Sequence, residues 1–165
     1  MTRVYLSGPI VNEQLRTDDF YEAVVKTLEH AGVSVFAPQF LPRMQPDAIF
    51  ERDVQQVRLS DVVIAEVTHA SHGVGMEIML AIELMKPLLL FRKKGAASLS
   101  YMVLGAQGKA LFEYGSPDDV VAILNSLDMD SLIVRKCPSC TSEVVEIAEK
   151  GLRCVVCRTE FELSV

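Results

Sequence analysis

Five apolar runs constrain this chain more than any other feature: Val4-Tyr5-Leu6, Val33-Ser34-Val35-Phe36, Val62 to Val67, Pro87 to Phe91 and Ala110 to Tyr114. Most are continuously apolar rather than alternating. That is the pattern of strands covered on both faces. Helical patterns fall between them. Thr17 is placed as an N-cap, with Phe20, Val24 and Leu28 at i+4 spacing and a stop near Gly32. Residues 47–59 carry Ile49, Val54 and Val57, and residues 74–86 are apolar almost all round. Residues 98–104 give a shorter candidate. Ser116-Pro117-Asp118-Asp119 supplies a cap with proline in the first turn, opening a helix to about Leu127. Strands alternating with helices predict an α/β fold, a doubly wound parallel sheet with helices on both faces.

The chain has 165 residues, half of them hydrophobic, enough for one ordinary domain and an appendage. No apolar run reaches the ~18 residues of a membrane span. The N-terminus has no basic region followed by a long apolar core, so a cytoplasmic protein is expected. A net charge of −6 argues against nucleic acid as a partner.

All four cysteines fall late, as Cys137-Pro-Ser-Cys140 and Cys154-Val-Val-Cys157. Two such knuckles supply the four sulfurs of a closed structural zinc site. With no open coordination position, the metal is expected to be structural and catalysis to need no cofactor. The segregation predicts two units: an α/β domain over residues 1–128 and a four-cysteine zinc ribbon over 134–165, joined by the segment from Asp128 to Arg135. Val144 to Ile147 and Phe161 to Leu163 are its β-prone pieces. Five basic and five acidic residues from Arg135 onward leave no basic face, which favours a packing role.

Glu77 is the leading candidate for chemistry. It is read as a carboxylate on the first turn of the apolar segment Val74 to Met85, just after a glycine-rich turn around Gly73 and Gly75 that follows the buried-strand pattern from Asp61 to Val67. A carboxylate there costs free energy unless it is used or paired. Its place near a helix start predicts an ionised group, at the edge where open α/β sheets bind ligands. Asp53 interrupts the apolar row Ile49, Asp53, Val57. Tyr5 and Ser7 end the first strand before Gly8-Pro9-Ile10, at a loop bordering the same crevice. Two carboxylates at one crevice suit chemistry at an anomeric carbon: one attacks, the other handles protons. Glu66 reads as a turn cap, and His69 and His72 read as solvated loop histidines.

At this point the chain resembles the nucleoside 2-deoxyribosyltransferase-like proteins, most closely their 2'-deoxynucleoside 5'-phosphate N-hydrolase branch. The matching pieces are Val4 to Ile10, Glu51-Arg52-Asp53-Val54, Asp61 to Thr68, Ser71-x-Gly73-Val74-Gly75-x-Glu77 and Leu99-Ser100-x-Met102. The resemblance implies a flavodoxin-like five-stranded sheet and cleavage of an N-glycosidic bond. It implies Glu77 as the nucleophile that forms a glycosyl ester, Asp53 as the proton-transfer group and Tyr5 as the residue orienting Glu77. Ser7, Gly8, Pro9, Ile10, Ser71, Gly73, Gly75 and Met102 would hold the small-molecule substrate. Ser100 would reach the 5'-phosphate in the neighbouring subunit's site, which implies a homo-oligomer, a dimer or higher. The cysteine module lies outside the resemblance. Val11 and Leu104 stand where the hydrolase branch has arginines, and Pro9 is reminiscent of the transferase branch. The favoured expectation is hydrolysis of 2'-deoxynucleoside 5'-monophosphates. The alternatives are base exchange on unphosphorylated deoxynucleosides and, from another class, a non-catalytic nucleotide-binding adaptor.

Overall fold

The computed structural model describes residues 1–162. Leu163, the end of the last expected strand, lies outside the described residues. The first part of the chain alternates as β1 (Arg3–Ser7), α1 (Asp18–His30), β2 (Ser34–Phe36), α2 (Pro46–Leu59), β3 (Val62–Glu66), α3 (His72–Glu83), β4 (Leu88–Lys93), α4 (Tyr101–Leu104), β5 (Lys109–Tyr114) and α5 (Pro117–Asn125). The five strands form one parallel sheet in the order β2-β1-β3-β4-β5. All five expected strands are present. β3 is buried at every position, as a strand covered on both faces must be.

Side chains on a strand alternate between faces, and this alternation builds two cores. Val4, Leu6, Ile64, Leu89 and Phe91 pack with Phe20, Val24 and Leu28 of α1 and Val120 and Leu124 of α5. Tyr5, Val63, Ala65, Leu88 and Leu90 pack instead with Val57 of α2 and Val74, Ile78 and Ala81 of α3. Tyr5 therefore faces α2 and α3, the helices that carry Asp53 and Glu77.

The second part is a four-stranded antiparallel sheet, β6 (Leu132–Val134), β7 (Val144–Ala148), β8 (Gly151–Cys154) and β9 (Glu160–Phe161), in chain order. The segment expected to be a join thus contains a strand, because Leu132, Ile133 and Val134 pair with Glu146, Val145 and Val144. This sheet covers the edge of β5. The Glu143 N–H donates to the Lys109 carbonyl at 2.8 Å, and the Gly108 N–H donates to the Glu143 carboxylate at 2.6 Å. An uncovered strand edge is a template for unwanted pairing. Met129, Val144 and Val155 belong to the same apolar cluster as Val4 and Leu6. Among the described residues, no helix is long and apolar enough to cross a membrane.

Candidate active site

β1 ends where Tyr5 and Ser7 point toward α3. The Tyr5 hydroxyl donates to Glu77 Oε1 at 2.7 Å, and the Ser7 hydroxyl donates to Glu77 Oε2. Both donors are fully buried, so they form a floor under the carboxylate rather than a wall of the site. Burial and the neighbouring Glu77 hold the Tyr5 phenol firmly protonated.

Glu77 itself is pushed up to about 7, chiefly by desolvation. The Ser7 and Tyr5 hydrogen bonds pull it down, and the charge of Asp53 pushes it up. This departs from the expected fully ionised group, for a geometric reason. α3 begins at His72, so Glu77 is its sixth residue, beyond the first turn where the helix dipole favours negative charge. Gly73 and Gly75 likewise lie within the helix, not in a turn before it. A Cβ added at either would meet nothing within 4 Å. Glycine inside a helix costs roughly 0.5–1 kcal/mol relative to alanine. At Gly73, which borders the cavity described next, that cost leaves room for a ligand.

Above Glu77 lies a cavity of about 880 Å³ between α2, α3 and the loop after β1. Of the expected site residues, Gly8, Pro9, Ile10, Asp53, Ser71, Gly73 and Glu77 line it. Ser71 is the N-cap of α3 but makes no side-chain cap bond, which leaves its hydroxyl available. Gly8 has a second reason to be glycine: a Cβ there would sit 2.2 Å from the Tyr21 hydroxyl. That hydroxyl donates to the Pro9 carbonyl at 3.1 Å. Asp53 is buried, and Arg52 Nε donates to its Oδ1 at 2.7 Å.

Gly75, Ser100 and Met102 are not brought to this cavity. Gly75 is exposed on α3. The Ser100 hydroxyl caps α4, accepting from the Met102 N–H at 3.2 Å, and Met102 is 82% exposed. Conversely, Ile49, Phe50, Asn12 and His72 line the cavity without being expected there. Ile49 and Phe50 stand one helical turn before Asp53, and Ile49 belongs to the row that singles Asp53 out. His72 opens α3 instead of sitting in a solvated loop. Glu66 does act as a cap: its carboxylate accepts from the Thr68 N–H and hydroxyl and from the Tyr114 hydroxyl at 3.1 Å.

The four cysteine sulfurs lie within 4.8 Å of one another and could hold a metal ion. Cys137 and Cys157 are 3.6 Å apart, as are Cys140 and Cys154. Four sulfurs at the zinc–thiolate bond length of about 2.3 Å span about 3.8 Å in a tetrahedron, so the spacing fits. Backbone N–H groups of Ser139, Ser142 and Val156 donate to Cys137, Cys140 and Cys154 at 3.3–3.4 Å. Such donors compensate thiolate charge.

A parallel sheet in flavodoxin order, with an acid pair over the carboxyl ends of β1 and β3, defines the class: an α/β protein with a carboxylate site at the topological switch point. The chain belongs to the nucleoside 2-deoxyribosyltransferase family, which matches over residues 4–132. It is 37% identical over 102 residues to a Danio rerio protein named 5-hydroxymethyl-dUMP N-hydrolase, covering 56% of this chain and 71% of the relative. An Esox lucius protein of the same name is 47% identical over 104 residues, with 56% and 72% covered. The solved structure of a Clostridium botulinum CMP N-glycosidase shares the fold with a TM-score of 0.62 at 21% identity, over 76% of this chain and 98% of that one.

Proposed function

We propose that the protein hydrolyses 2'-deoxynucleoside 5'-monophosphates to free base and deoxyribose 5-phosphate, through a covalent glycosyl ester on Glu77. The observation that carries this reading is Glu77 itself, held by Tyr5 and Ser7 at the floor of a cavity that Asp53 also lines. Fixed donors on both carboxylate oxygens orient a nucleophile, and mere nucleotide binding needs no such arrangement. The relatives' names point to the same bond.

In the first step a Glu77 oxygen attacks C1' as the N-glycosidic bond breaks. The bond's electron pair leaves with the base nitrogen, to which Asp53 assists proton delivery. In the second step water attacks C1', its proton passes to Asp53, and the ester bond breaks to return the Glu77 carboxylate. Two displacements retain configuration at the anomeric carbon. Gly8, Ile10, Ser71 and Gly73 border the sugar and phosphate, and no cofactor takes part.

A panel of nucleotides and nucleosides, with and without an acceptor base, tests the reading. Free base and sugar phosphate are expected from deoxynucleotides alone. A product carrying the acceptor base would make the protein a deoxyribosyltransferase, and binding without turnover would make it an adaptor. Asp53→Asn is expected to lower turnover by ~10²-fold or more, the scale of general acid–base catalysis, with little change in thermal midpoint. An unchanged rate would remove Asp53 from the mechanism.

The protein is further proposed to be cytoplasmic and to work as a homodimer in which Ser100 completes the neighbour's phosphate site. Supporting this, Tyr101 and Met102, which follow Ser100, are 89% and 82% exposed. Phe50, Met76 and Met79 line the cavity and are also largely exposed. A partner chain seated over these side chains would remove them from water. Mixing Ser100→Ala protein with Glu77→Ala protein should yield heterodimers with one complete site each. Recovered activity on deoxynucleotides is expected, and none would place Ser100 outside the site. The cysteine quartet is proposed to bind one structural zinc ion.

A further inference from the structure

Arg52 neighbours Asp53 on α2, and adjacent residues on a helix do not normally face each other. Here the arginine turns back, and its Nε donates to Asp53 Oδ1 at 2.7 Å, with the two side chains only 19% and 11% exposed. Its guanidinium carbon also lies over the Phe36 ring, 5.7 Å from the centroid. Phe36 and Tyr5 are register partners on the adjacent strands β2 and β1. Their rings stack at 5.7 Å and 21°. Tyr5 in turn holds Glu77 at 2.7 Å. One guanidinium is therefore joined to both carboxylates, to one directly and to the other through two stacked rings.

We infer that Arg52 is the positioning residue of the carboxylate pair, fixing the direction of Asp53 and bracing the Tyr5–Glu77 hydrogen bond. The inference rests on Asp53 and Glu77 being the reacting acids. Arg52 does not line the cavity, whereas Asp53 does. It occupies Asp53 Oδ1, while Oδ2 accepts no hydrogen bond among the described residues. That division leaves one oxygen for the proton and anchors the other. The guanidinium matters as more than a charge, because its Nε donates to Asp53 while its carbon lies over the Phe36 ring, two contacts that the single ammonium of a lysine would not make together.

The test compares Arg52→Gln and Arg52→Lys in the wild-type and Asp53→Asn backgrounds, with kcat and KM on a deoxynucleotide and the thermal midpoint of each. Arg52→Gln is expected to lower kcat roughly 10- to 100-fold, the loss that misplacement of a catalytic group by about 1 Å produces, with KM nearly unchanged. Arg52→Lys should recover only part of that loss, since it restores charge without both contacts. In the Asp53→Asn background Arg52→Gln should cost kcat clearly less than in the wild type, because only the bracing of Tyr5 is left to lose. Equal losses in both backgrounds would reduce Arg52 to a structural residue and overturn the inference. So would a raised KM with kcat intact, which is the mark of a binding residue. If Asp53→Asn alone retains full activity, the catalytic reading itself fails. If Asp53→Asn is impaired and Arg52→Gln is not, only the role of Arg52 fails.

Discussion

Glu77→Ala is expected to abolish N-glycosidic cleavage, by on the order of 10⁴-fold or more, as deletion of a central catalytic group does. Nucleotide binding should survive, because the Ser71 hydroxyl and the loop Gly8-Pro9-Ile10 remain around the cavity. With a slow 2-fluoro sugar analogue, intact-protein mass spectrometry should detect an adduct that maps to the peptide containing Glu77. An adduct on another residue, or inversion at the anomeric carbon, would falsify the covalent route even if the substrate class held.

The same residue sets the pH dependence. On the proposed route only ionised Glu77 attacks, and burial has pushed it up to about 7. kcat/KM should therefore fall as pH drops through about 7. Since the Asp53 charge contributes to that shift, Asp53→Asn should move the acid limb to lower pH. For stability the sign is opposite. A carboxyl raised on folding holds its proton more tightly in the folded state, so its contribution is unfavourable at high pH and vanishes below its unfolded value. A rise from 4.5 to about 7 corresponds to roughly 3 kcal/mol, lost progressively as pH rises between those values. Glu77→Gln should thus raise the thermal midpoint at pH 8 and leave it nearly unchanged at pH 4.

Much of this site is legible in local sequence pattern. The continuous strand runs place β1 and β3 in the middle of a parallel sheet, and alternation along Tyr5-Leu6-Ser7 turns two hydroxyls toward one face. Asp53 stands out because it breaks an apolar helical row. The charge state of Glu77 is not legible in this way, because it depends on where α3 starts, and the helix absorbs the two glycines expected to precede it. The join at 128–135 hides β6 because three residues gain strand geometry only from pairing with β7. β8 is hidden for the same reason, since Leu152 and Arg153 pair with Ile147 and Glu146. The Arg52–Phe36–Tyr5 chain joins three elements and depends on strand register, which no local pattern specifies.

Removing the metal from the cysteine quartet should destabilise far more than the ribbon. The purified protein should carry about one zinc per chain, bound by four sulfurs. The four-stranded module is too small to fold on its own core, so its ordering would depend on the proposed ion. Yet it is not a free appendage. Met129, Val144 and Val155 complete the cluster under α1 and α5, and Glu143 bonds to the backbone at Gly108 and Lys109 on the sheet edge. Exposing two or three buried apolar side chains costs ~1.5–3 kcal/mol each, or a fall in thermal midpoint of roughly 10 °C or more for a chain of this size. Cys154→Ser is therefore expected to disorder the ribbon and lower the midpoint of the α/β domain by that amount, with the parallel sheet still formed by circular dichroism at low temperature. Two independent transitions, with the α/β one unmoved, would show instead that the ribbon and the sheet fold separately. Elemental analysis finding no metal, or a disulfide between any two of the four cysteines, would remove the ion from the account altogether.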